Sequence, residues 1–122
     1  MPVKPKQILS TGKILWIEKD DNKSSPARYV AENDRIYILL NGRNERLPEL
    51  SDGDRVLVVG HPLAKQTRTA EAYALVHILS NDEVPRGVFL ELAGSLYDPS
   101  LSPAANYEKL KDMLAVAALD LL

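Results

Sequence analysis

The sequence predicts a mainly β protein with C-terminal helices, specifically a five-stranded Greek-key barrel followed by a helical tail. Three observations carry that expectation. Five short segments rich in β-branched and aromatic residues lie between residues 13 and 79, separated by turn-forming residues. After Leu79 the apolar spacing changes from two residues to about 3.6, the helical period. The chain has 122 residues, about one domain's length, with no internal repeat. We divide it into a barrel over 1–80 and a helical tail over 81–122, packed on the barrel or on a partner.

The first strand is Lys13-Ile14-Leu15-Trp16-Ile17, and the polar stretch from Glu18 to Ser25 reads as its loop. Arg28-Tyr29-Val30-Ala31 and Arg35-Ile36-Tyr37-Ile38-Leu39-Leu40 flank Glu32-Asn33-Asp34, a polar connection of the length a tight hairpin needs. Leu47-Pro48-Glu49-Leu50 is too short and proline-broken for a helix. Ser51-Asp52-Gly53-Asp54 then turns the chain into the fourth strand, Arg55-Val56-Leu57-Val58-Val59. Gly60 ends it, His61 to Thr69 form a polar loop, and Ala72 to Leu79 make the fifth strand. Both faces of these two strands are largely apolar, which fits a barrel interior on one side and a covering helix or partner on the other. In the tail, a helix fits Glu83 to Ala93, with Gly94 as its stop. A second helix starts at the N-cap Ser102 with Pro103 at its first position. Its apolar stripe, Tyr107, Leu110, Leu114, Ala117, Ala118 and Leu121, is the expected docking face for a protein partner.

Composition removes several function classes. No apolar run approaches the roughly 20 residues of a membrane span, and Met1-Pro2-Val3-Lys4-Pro5-Lys6 lacks the apolar segment of a signal peptide. The absence of cysteine excludes disulfides, thiolate nucleophiles and thiolate metal sites. An intracellular location, nuclear or cytoplasmic, is the expectation. His61 and His77 are too far apart in sequence for a helical zinc pair, and no metal or cofactor is expected. No nucleophile elbow, P-loop or dinucleotide fingerprint is present, so the chain reads as a non-enzyme. Asp20-Asp21 and Asp82-Glu83 read as solvated surface charge. Residues 1–79 hold twelve Lys/Arg against ten Asp/Glu, and residues 80–122 hold three against seven. So weak a positive balance leaves nucleic-acid affinity to local clusters of cations.

Leu50-Ser51-Asp52-Gly53-Asp54-Arg55-Val56-Leu57-Val58-Val59-Gly60 resembles the entry to the fourth strand of oligonucleotide/oligosaccharide-binding (OB) barrels. The stretch from Val58 through Ala72-Tyr73 to Val88-Phe89-Leu90 is similar to the last strands and helix of the middle subunit of replication protein A, and to related telomere-capping proteins. That resemblance implies a small subunit of a nucleic-acid-maintenance complex that binds single-stranded nucleic acid. Trp16, Tyr29, Tyr37 and Tyr73 are then the stacking candidates, with Arg28, Arg35, Arg43, Arg46, Lys65 and Arg68 as backbone-tracking charges. Each has a plainer reading. Trp16 lies between Leu15 and Ile17 and suits packing, and isolated arginines are usually a solvated surface. A rival resemblance uses the same residues. Ile14 to Leu40 is similar to the opening of FMN-binding split barrels of the pyridoxamine-phosphate-oxidase type, which implies a flavin phosphate held near Arg43 and Arg46. A purely structural protein-interaction domain is the third reading.

Overall fold

Strands β2 (Ser25–Glu32) and β3 (Arg35–Leu39) form the hairpin that the sequence marks most clearly. Tyr29 pairs with Ile38, Val30 with Tyr37 and Glu32 with Arg35. Asp34 has a φ of 63°, the left-handed backbone that two-residue hairpin turns demand and that Asp adopts more readily than most residues. The structure is a computed structural model, which describes residues 14–19, 25–32, 34–40, 50–60 and 70–122. Strands β1 (Ile14–Glu18), β4 (Arg55–Gly60) and β5 (Ala70–Leu79) agree with the remaining predicted segments.

The barrel has six strands rather than the predicted five. The sixth, β6 (Val116–Leu121), lies between β3 and β5. The closed antiparallel order is β1-β2-β3-β6-β5-β4, with β4 returning to β1. This strand replaces the second half of the predicted terminal helix. Helix α2 (Pro103–Leu110) starts as expected, with Ser102 Oγ accepting the Ala105 N–H at 3.2 Å, but it ends at Leu110. The misreading has a physical cause. Ala117 and Leu119 face the barrel interior, Val116 and Ala118 face the helices, and all four are fully buried. A short run that is apolar on both sides does not distinguish the strand period from the helical one. Backbone pairing decides the matter, because β3 and β5 would otherwise each carry an unpaired row of N–H and C=O groups. The barrel is therefore not contained in residues 1–80.

Alternation fills the interior with Leu15, Ile17, Ile36, Ile38, Val56 and Val58, each at most 1% exposed. Val56 and Val58 share one face, as their spacing predicts. Helix α1 (Arg86–Ala93) ends at Gly94, whose φ of 56° suits only glycine comfortably. Helices α1 and α2 cover one flank of the barrel: Val88, Phe89 and Leu92 of α1 and Leu110 of α2 join Tyr37, Leu39, Val116 and Ala118 in a second buried cluster. Phe89 and Tyr107 meet edge to face at 5.2 Å, which ties α1 to α2.

Candidate interaction surface

Among the described residues, α1 and α2 leave uncovered β1, β4 and the first part of β5, whose last residue, Leu79, packs against the helical layer. Because Leu15, Ile17, Val56, Val58, Ala72 and Ala74 point inward, their chain neighbours Trp16, Leu57, Val59, Tyr73 and Leu75 point outward. The register sets Trp16 opposite Val59, Leu57 opposite Tyr73, and Arg55 opposite Leu75. Apolar side chains thus run as a diagonal from Trp16 through Val59, Leu57 and Tyr73 to Leu75. Trp16 is 39% exposed and Tyr73 50%, and Val59, Leu57 and Leu75 are half-buried. Among the described residues, α1 packs against β2 and β3 instead. An outward sheet face normally alternates to polar residues. The apolar outward positions of β4 break that rule.

Charge flanks the diagonal on both sides. Glu71 lies opposite Val59 at one margin, and Glu18 and Arg55 lie at the other. The Arg55 guanidinium sits 4.3 Å from the Tyr73 ring centre, a cation–π contact across neighbouring strands. Beyond Leu75 the surface becomes a polar seam. Asp120 receives two hydrogen bonds from Arg35, at 2.9 and 3.2 Å, and its Oδ2 lies 3.1 Å from His77 Nε2. Desolvation pulls the Arg35 guanidinium down, but the hydrogen bond and charge of Asp120 outweigh it and hold it above its ordinary value.

The residues expected to contact nucleic acid do not form one surface. Tyr29 is only 8% exposed and belongs to the barrel interior, where burial raises its phenol. Tyr37 is 7% exposed beneath the helices, so neither ring offers a face to a base. Alternation across the β2–β3 hairpin turns the two rings to opposite sides of the sheet, and both sides are covered. Arg35 is paired to Asp120, and the Arg28 guanidinium lies against Gly94, beside a cleft of about 130 Å³ lined by Tyr29, Val30 and Glu91. Among the described candidates, only Trp16 and Tyr73 are exposed on the face of β1, β4 and β5. Arg43, Arg46, Lys65 and Arg68 lie outside the described residues.

The expected partner helix is likewise taken up within the fold. Leu110 and Leu114 are buried in the helical layer, and Ala117 lies in the barrel interior. Leu121 packs half-buried on that interior, and Tyr107 is half-buried against Phe89 with the Arg86 guanidinium 5.0 Å from its ring. What residue-by-residue reasoning passed over is the set Leu57, Val59, Leu75 and Arg55. The signal for it was the two-sided apolar character of β4 and β5. Among the described residues, no group of three or more His, Asp or Glu is placed to hold a metal, and no helix is long and apolar enough to cross a membrane. Comparison of the chain with protein-family models, with curated proteins and with solved structures finds no match.

Proposed function

We propose that the chain is a non-catalytic binding module, a subunit that joins an assembly through the outer face of β1, β4 and β5. One observation carries this reading: Trp16 and Tyr73 stand exposed at opposite parts of a continuous apolar diagonal. Contiguous exposed apolar surface marks interaction sites, and Trp, Tyr and Arg are enriched where partners bind most strongly. Protein suits this face better than nucleic acid. A single strand needs exposed rings together with cations along its backbone, whereas this face carries the carboxylates Glu18 and Glu71 beside Arg55. Trp16 is the only tryptophan, so its emission and its access to a soluble quencher report on the face directly. Titration with a short oligonucleotide at low salt is expected to leave both unchanged, and saturable shielding would transfer the reading to nucleic acid. Trp16→Ala is expected to shift unfolding by less than about 1 kcal/mol, because the side chain is not in either buried cluster. A loss of several kcal/mol would make Trp16 a packing residue and end the reading.

The strand count favours a second reading. OB barrels close with five strands, and the sixth strand here weakens that resemblance. The resemblance of residues 14–40 to FMN-binding split barrels does not depend on a five-stranded closure. Uptake of added FMN, seen as yellow absorbance that co-elutes with the protein, would establish that alternative, and its absence would remove it.

A further inference from the structure

We draw no further inference here: the strongest candidate, the exposed apolar face of β1, β4 and β5 around Trp16 and Tyr73, is the surface already described, and nothing in the structure shows what covers it.

Discussion

At Gly94 the backbone has a φ of 56° and a ψ of −120°, and a Cβ added there would run into the Arg28 guanidinium. Two costs follow for Gly94→Ala, backbone strain of about 1–3 kcal/mol and the displacement of Arg28 from the α1 terminus. We expect a loss of about 2 kcal/mol or more in urea unfolding, and only partial recovery when Arg28→Ala is added, because the strain remains. An unchanged midpoint would refute the contact. That Gly94 stops a helix was legible in the sequence, where the apolar period breaks. That it also receives an arginine from β2 was not, since no local pattern records a contact so distant along the chain. Asn106 is the opposite case. Fully buried, it accepts the Asp98 N–H at 2.7 Å and donates to the carbonyls of Asp98 and Ser102 at 2.9 and 3.0 Å. Between Ala105 and Tyr107 it reads as an ordinary surface residue of an amphipathic helix. Asn106→Leu has nearly the same size but leaves the Asp98 N–H without its acceptor, while the Asp98 and Ser102 carbonyls keep the N–H groups of Leu101 and of position 106, and is expected to cost about 1–3 kcal/mol by the same measurement.

Among the elements, β6 separates what pattern reveals from what pairing decides. The β2–β3 hairpin, β4, β5 and the start of α2 each carry a local signature: a polar two-residue turn, a glycine turn, a branched run, a serine cap followed by proline. Val116-Ala117-Ala118-Leu119 carries none, since it is apolar on both faces and alanine is at home in a helix. The same ambiguity hid the interaction surface. The two apolar faces of β4 announced that something covers its outward side, but which flank of the barrel the helices choose depends on where β6 inserts. A chain ending at residue 115 tests this directly. If β6 closes the barrel, truncation leaves β3 and β5 with open inner edges, and the product is expected to be insoluble or to lack a cooperative unfolding transition. A soluble, cooperatively folded 1–115 chain would mean that the barrel closes without it.

Over the whole molecule the excess of charge is acidic, and part of it is built into the surface turns. Asp54 is held below its ordinary value of 3.8 by the Lys19 hydrogen bond and then by the Ser51 N–H, and Asp98 likewise by the Ser100 hydroxyl and N–H. Glu83 lies below its ordinary 4.5 through the Ser80 N–H and hydroxyl, and Glu108 through Lys111. All four shifts have one sign. A carboxylate whose folded value is depressed contributes stability that is complete above its unfolded value and lost as pH falls through the folded one, because the unfolded chain takes up protons first. The urea midpoint is therefore expected to be flat from about pH 7 to about pH 5 and to fall progressively below about pH 4.5. Since Glu83 and Glu108 are exposed and Asp54 and Asp98 only half-buried, the decline is shared among them and gradual rather than a single step. Asp98→Asn isolates one contribution. Its amide oxygen can still accept from Ser100 but does not titrate, so the variant is expected to show a shallower acid slope than the parent. A midpoint that rises through the same window would mean that these carboxylates are not held by their turns, and that protonation relieves repulsion instead.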